Sequence, residues 1–418
     1  MSRKTVAIRW AVRLTLLAAA VVLALGGPLP GAIARALPSL SPLAAAASSL
    51  AQRRWYLGLA WAAPAVAVLA LAVWKGRLFC RWICPLGTLY AIPSRLTLRK
   101  KLLAVRLAPL IFWIIVGGAL AGAPLLLWLD PLSAFNRLTP LASGAWTAAS
   151  IIAGVIVPLM LILGAIQPMI WCTHLCPLGY CFELARSLRN PGPKATFSRT
   201  RRSILAGLVL GIPAATAARK WLFARAGAAE TERPILPPGA KDLETFASAC
   251  TRCYACVNAC PMDILRVPPP LGRAPGQWFQ PEVAFLDSRE APGRGYCLET
   301  CTACSHVCPT GALTPLHLRE KRQRRIGTAE VIRPACLAWA DNKYCMVCQE
   351  HCPYGAIRSD ESEDYIPRPV VDPERCRGCG ICQSTCPARR AGKAILVRGL
   401  SEQTVSDDGY ADLFEYDN

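Results

Sequence analysis

The sequence predicts an α-helical membrane domain followed by an α+β domain built from two small modules of one kind. Three observations predict it. Four long apolar runs fill the first half, the excess positive charge lies in the segments that connect them, and sixteen cysteines recur in four groups in the second half.

Composition separates the halves. The chain is 53% hydrophobic and 18% charged, with a net charge of +20, a balance that leans towards a membrane protein. Residues 1–218 contain 22 Lys/Arg against two acids, Asp130 and Glu183, whereas residues 219–418 contain 25 basic and 25 acidic residues. The whole excess belongs to the hydrophobic half. Basic connecting loops explain that, and a nucleic-acid binder, which needs a basic face on its soluble part, is excluded.

The apolar runs are Trp10–Leu25, Trp55–Trp74, Leu107–Leu129 and Ala145–Trp171. A spanning helix needs about 20 apolar residues; the last three runs meet that, and Arg9 and Arg13 extend the first by snorkelling. Trp55, Trp74, Trp113, Trp128, Trp146 and Trp171 fall mostly near run ends, as interfacial anchors do. Eighteen basic residues flank one side of these spans and four the other, which predicts a cytoplasmic amino terminus. A fifth, shorter run, Ser203–Ala218, follows "TRRSIL". If it inserts, everything after it emerges on the periplasmic face.

The second half carries Cys250, Cys253, Cys256 and Cys260; Cys297, Cys301, Cys304 and Cys308; Cys336, Cys345, Cys348 and Cys352; and Cys376, Cys379, Cys382 and Cys386. The first and fourth groups are C-x2-C-x2-C-x3-C-P, the ligand spacing of bacterial [4Fe–4S] ferredoxins. The second has one extra residue in its first gap and the third has six. Three thiolates two residues apart wrap one face of a cluster, and the fourth, a turn further on, ligates the other cluster of a pair. Zinc sites use separated pairs and leave the fourth cysteine without a role. Sixteen thiolates therefore predict four [4Fe–4S] clusters in two ferredoxin-like modules, a polyferredoxin domain, with groups pairing in sequence or nested. "EVAFLD", "AEVIRP", "RPVVD" and "AILVR" read as its strands. His306 and His351, inside the cluster loops, read as surface or neighbouring residues rather than ligands. No acid–base or nucleophile constellation appears, so no catalytic residue is assigned.

The first half repeats a signature of its own. "CRWICPLG" supplies Cys80 and Cys84, and "CTHLCPLG" supplies Cys172 and Cys176. Both are C-x3-C-P-L-G, each after an even-numbered run, and together they form a candidate fifth metal site; a docking or thiol role and a purely structural one stand beside it. His174 does not recur in the first copy. Cys181 reads as a structural thiol, and Asp130 as a helix-end residue before proline or as a proton acceptor.

The C-x3-C-P repeats resemble the NapH-type membrane component of quinol dehydrogenases and the NosR and CcoG-like membrane iron–sulfur proteins. The second half resembles the NapG/MauM ferredoxin-type proteins, and Arg201-Arg202 resembles the twin-arginine export signal, with Ile where Phe is usual. The chain thus looks like a fusion, its mid-chain signal the former amino terminus of the second partner. The expected organisation is a four-span membrane domain at 1–196, a signal/anchor span and linker at 197–239, the polyferredoxin domain at 240–398 and an acidic tail at 399–418. The resemblance implies a protein of the bacterial inner membrane that takes electrons from the quinol pool and passes them to a periplasmic cytochrome or oxidoreductase, as a quinol dehydrogenase component. The alternative is an iron–sulfur reductase that assists maturation or metal reduction in another oxidoreductase. "ARAGAAE" near Ala228 resembles a cleavage site.

Overall fold

The computed structural model describes residues 3–25, 36–53, 59–95, 105–122, 124, 126–137, 148–190, 204–217, 233–268, 278–361, 365–389 and 392–406. Arg201, Arg202, the segment around Ala228 and most of the acidic tail lie outside the described residues.

The first half is helical. Its longer helices are Arg3–Leu25, Pro42–Gln52, Leu59–Lys75, Ala108–Leu120, Ala148–Ile166 and Pro177–Arg189, with a further helix at 204–217. Leu43, Leu86, Tyr90, Ile115, Leu132, Phe135, Leu178 and Phe182 form its core. Edge-to-face rings lock the helices together: Phe79 on Phe182 at 5.8 Å and Phe112 on Tyr180 at 5.3 Å between centroids. Helix 204–217 lies close against Ala108–Leu120 because its contact residues are glycines. A Cβ on Gly207 would collide with Trp113, and one on Gly211 would sit 3.1 Å from the Ile114 Cα.

The five-span fold class is corrected by this structure. Among the described residues, no helix is long and apolar enough to cross a membrane. One cause is visible in the sequence. The run Leu107–Leu129 breaks after a helix of 13 residues, where Gly122 (φ +79°) and Leu126 (φ +62°) adopt left-handed conformations around Pro124. Proline also lies inside two other helices, at Pro64 and Pro158, where each removes a backbone hydrogen bond without ending the helix. The connecting segment around the helix Pro131–Asn136 folds inward instead of serving as a plain loop, burying Asp130 and Arg137, while Arg13 is buried on the helix Arg3–Leu25. The outer faces stay apolar, with Leu14, Val22, Val66, Leu159, Ile162 and Val209 exposed.

The described residues of the second half contain three antiparallel pairs. Strand β1 (Leu265–Arg266) pairs with β2 (Glu282–Val283), β3 (Arg324–Val331) with β6 (Ile395–Val405), and β4 (Ile357–Glu361) with β5 (Pro367–Val371). Each of the four expected strand segments contains one of these strands or its end. The modules are stitched together at two places. Phe285, just after β2, packs into both cores and stacks where Gly380 (φ +80°) has no side chain. The far end of β6 reaches back to the first module, where Gln403 donates from Nε2 to the carbonyls of Leu236 (3.1 Å) and Pro237 (2.9 Å) and accepts from the Gly239 amide (3.1 Å).

The halves meet along the helices Pro42–Gln52 and Pro131–Asn136. Ser48 donates to the Ala249 carbonyl (3.3 Å) and Gln52 to the Thr310 carbonyl (2.9 Å). Asn136 donates to the Cys253 carbonyl (2.7 Å), and the buried Arg137 donates from Nε to Arg252 (3.0 Å) and from Nη2 to Thr251 (3.1 Å).

Candidate metal centres

Among the described residues no group of three or more His, Cys, Asp or Glu is drawn together to hold a metal ion, but the sixteen cysteines of the second half neighbour one another in four sets of four, and the sets cross the sequence groups. Cys250, Cys253 and Cys256 lie with Cys308, each of the three feeling its charge. Cys260 has left its own group and lines a recess of about 340 Å³ with Cys297, Cys301 and Cys304. In the second module, Cys336, Cys345, Cys348 and Cys386 line a recess of about 350 Å³. Cys352 joins Cys376, Cys379 and Cys382 around one of about 310 Å³. The pairing is therefore sequential, first group with second and third with fourth, each pair exchanging its last cysteine.

The first and fourth of the loops that carry these thiols share one backbone shape. In the first, Arg252 (φ +55°) and Tyr254 (φ +59°) are left-handed; in the fourth, Gly378 (φ +70°) and Gly380 (φ +80°) hold the same two positions. Alternating right- and left-handed residues turn successive amides towards one side and form a concave anion nest. Glycine is required in the fourth loop: a Cβ on Gly378 would sit 2.5 Å from the backbone N and O of Gly327 in β3. Amides also reach individual sulfurs. Arg252 N lies 3.4 Å from Cys250 Sγ, Leu313 N 3.4 Å from Cys308, Ala329 N 3.3 Å from Cys376 and Ala356 N 3.4 Å from Cys352.

Electrostatics fits a bound anionic metal–thiolate centre. Burial pushes the Cys250 thiol up to about 11 and the thiols of Cys253, Cys348 and Cys379 up to about 12. Burial likewise raises the Cys256 and Cys382 thiols well above the ordinary cysteine range, with neighbouring sulfurs adding to the effect. Dry, mutually repelling thiols around a recess suit metal ligation, which releases their protons on binding. His306 and His351 are exposed, and each ring bonds through Nδ1 to a carbonyl of its own segment, Thr302 (3.1 Å) and Val347 (2.9 Å).

The C-x3-C-P repeats of the first half superpose in role. Cys84 caps the helix Pro85–Ala91 and Cys176 caps Pro177–Arg189, each with proline at the first helical turn. Each sulfur accepts from the glycine amide three residues on: Gly87 to Cys84 at 3.4 Å, Gly179 to Cys176 at 3.3 Å. Gly87 must lack a side chain, since a Cβ would lie 2.9 Å from the Cys80 carbonyl. Cys80, Cys84, Cys172 and Cys176 come together closely enough to act on one another's charge. Two guanidiniums brace them. Arg13 donates to the Gly87 carbonyl (2.6 Å) and Thr88 Oγ1 (3.2 Å), and Arg77 donates to the Cys172 carbonyl (3.0 Å) while pairing with Glu183 (2.9 Å).

Asp130 is fully buried, caps the helix Pro131–Asn136 through Ser133 N (3.0 Å) and accepts from Ser41 Oγ (2.7 Å). Cys181 is half-buried and belongs to no set of four.

Sequence reasoning missed the roles of Arg13, read as snorkelling at the start of the first run, and of Arg77 and Arg137, whose charge counted only as loop asymmetry. It also missed Lys321, which lies in "HLREKRQRR", a run that reads as a solvated face yet leaves Lys321 buried. The only signal was the position of that run, midway between the second and third cysteine groups.

Cysteine sets with exchanged fourth members, in small antiparallel modules, define a ferredoxin-type iron–sulfur protein. A 4Fe-4S dicluster domain family matches residues 249–312 and 343–389, and a 4Fe-4S binding domain family matches residues 57–106, 146–195 and 304–328. The methylamine utilization ferredoxin-type protein MauM of Methylobacillus flagellatus is 33% identical over 175 residues, 40% of this chain and 69% of that relative. The ferredoxin-type protein NapF of Escherichia coli is 33% identical over 154 residues, 37% of this chain and 80% of NapF. The ferredoxin-type protein NapG of Haemophilus influenzae is 31% identical over 183 residues, 40% of this chain and 61% of NapG. The chain belongs to this family of ferredoxin-type iron–sulfur proteins. No solved structure matches it.

Proposed function

We propose that the chain carries four [4Fe–4S] clusters and conducts electrons from a quinol donor to a partner oxidoreductase. Cys250, Cys253, Cys256 and Cys308 hold the first; Cys260, Cys297, Cys301 and Cys304 the second; Cys336, Cys345, Cys348 and Cys386 the third; Cys352, Cys376, Cys379 and Cys382 the fourth. The observation that supports this most directly is the exchange of the last cysteine within each pair, which a disulfide framework or zinc ribbon has no need for.

A cluster, when bound, supplies a one-electron carrier at each site. The chain's own residues do the rest. The recesses are lined by sulfurs and mostly apolar groups, the nest amides of the first and fourth loops compensate negative charge, and the interlocked loops fix the sites relative to one another. The donor side of the reading rests on the first half, read as a fused partner component. There Cys80, Cys84, Cys172 and Cys176, with Arg13 and Arg77 beside them, are suited to a fifth iron–sulfur centre. The pair Arg201-Arg202 supports export of the cysteine-rich half to the periplasm; loss of export when both are replaced by lysine tests that part.

The central test is the metal content of the full chain purified without oxygen. About four irons and four sulfides per set of four cysteines are expected. Zinc in stoichiometric amount with little sulfide overturns the reading. Reduction of the clusters by a quinol analogue, followed by electron paramagnetic resonance, tests the donor; failure of every quinol to reduce an otherwise reducible protein removes quinol from the proposal.

A further inference from the structure

One buried charge in the second half is not explained by packing. Lys321 is 3% exposed, a rarity for a residue whose ammonium is seldom fully buried unless paired. It sits on the short helix Leu318–Gln323, between the two modules. That helix is wedged against the fourth cysteine loop: Arg377 donates from Nε to the carbonyl of the neighbouring Arg322 (2.7 Å), and the Ile326 amide donates to the Arg377 carbonyl (3.1 Å). Across the same seam the Cys297 amide donates to the Cys379 carbonyl (2.8 Å). The Lys321 ammonium lies among sulfurs, Cys297 and Cys304 of the second set and Cys379 of the fourth.

We propose that Lys321 is a potential-setting residue, which raises the reduction potentials of the second and fourth centres and so makes the seam between the modules the place where an electron is held in transit. The inference rests on the cluster reading above. At the seam one electron leaves a reduced centre of one module and is taken up by an oxidised centre of the other; no bond forms or breaks and no proton is required. The receiving site gains one unit of negative charge. A fixed positive charge a few ångströms away, in a dry interior of low effective dielectric, stabilises that added charge and so favours the reduced form. Lys321 faces sulfurs of both sets, so its effect is shared by two centres rather than confined to one. Arg319, exposed on the same run and screened by water and salt, has no comparable effect.

The test is a redox titration of the full, anaerobically loaded chain, followed by electron paramagnetic resonance, for the natural protein, Lys321→Met and Lys321→Arg. Methionine keeps the bulk and removes the charge; arginine keeps the charge. With iron content unchanged in Lys321→Met, at least one midpoint is expected to fall by a tenfold or larger change in the reduction equilibrium, about 59 mV for a one-electron couple. Lys321→Arg is expected to restore most of it. Full iron with unchanged midpoints in Lys321→Met overturns the role of Lys321 and leaves the cluster reading standing. If Lys321→Met loses iron, the arginine variant decides: natural iron content and midpoints support the charge, and loss in both overturns it. Absence of iron from the natural protein overturns the proposal together with the cluster reading.

Discussion

The Cys297 amide donates to the Cys379 carbonyl at 2.8 Å, so the loop of the second cysteine set touches the loop of the fourth. The first set faces the other way, against Asn136 and Arg137 of the first half. The sites therefore run in the order first, second, fourth, third, which is not their order along the chain. Magnetic coupling between reduced centres should link the second with the fourth as well as the two centres within each module, seen as spin–spin broadening of the second that weakens when Cys382→Ser removes the fourth. Equal broadening between the first and third would contradict this order.

Because the last cysteine of each group is exchanged, Cys308→Ser should damage the first site and spare the second, and Cys260→Ser should do the reverse. Iron counting with spectra of the remaining centres distinguishes the two outcomes. Damage confined to the sequence-local group in each variant would mean that the sets are wrongly composed.

Gly378→Ala should be strongly destabilising. Its φ of +70° is left-handed and the new Cβ would lie 2.5 Å from Gly327 backbone atoms that cannot yield without breaking β3 from β6. A loss of about 2–4 kcal/mol is expected from conformational strain and overpacking together. Tyr254→Gly, at the position of the first loop equivalent to Gly380, relieves backbone strain but deletes a buried ring, so it should also destabilise. Thermal melting of both variants checks the contrast between a steric and a packing cause.

Arg137→Ala should loosen the junction between the halves. It leaves the carbonyls of Thr251 and Arg252 without their buried donor, at about 1–3 kcal/mol for each unsatisfied group. Hydrogen exchange should speed up at residues 250–256 and in the helix Leu243–Ala249, while β3 and β6 keep their protection. Uniform acceleration would place the effect elsewhere.

Gly211→Leu should separate helix 204–217 from Ala108–Leu120, because the leucine side chain has no room against Ile114 and Gly117. Thr216→Leu, at an exposed position of the same helix, should be tolerated. Protease sensitivity around residues 204–217 measures the difference.

Much of this protein could be read from its residues alone. Cysteine spacing determines the chemistry, because thiolates two residues apart on a tight loop have few uses besides a cluster face. The strand segments followed from β-branched runs between turn residues, and the repeated C-x3-C-P-L-G announced two equivalent turns. Tertiary structure decided the remainder. Which fourth cysteine completes which set depends on how two loops fold over one another, and local spacing is identical for sequential and nested pairing. Hydrophobicity, read as a one-dimensional run, predicted five spans; the helices end where Gly122, Pro124 and Leu126 break the backbone, and the chain between them turns inward to bury Asp130 and Arg137. A charged residue in a basic run reads as solvated because solvent is its usual environment. Only the packing of two modules around Lys321 turns that same ammonium into a buried charge among sulfurs.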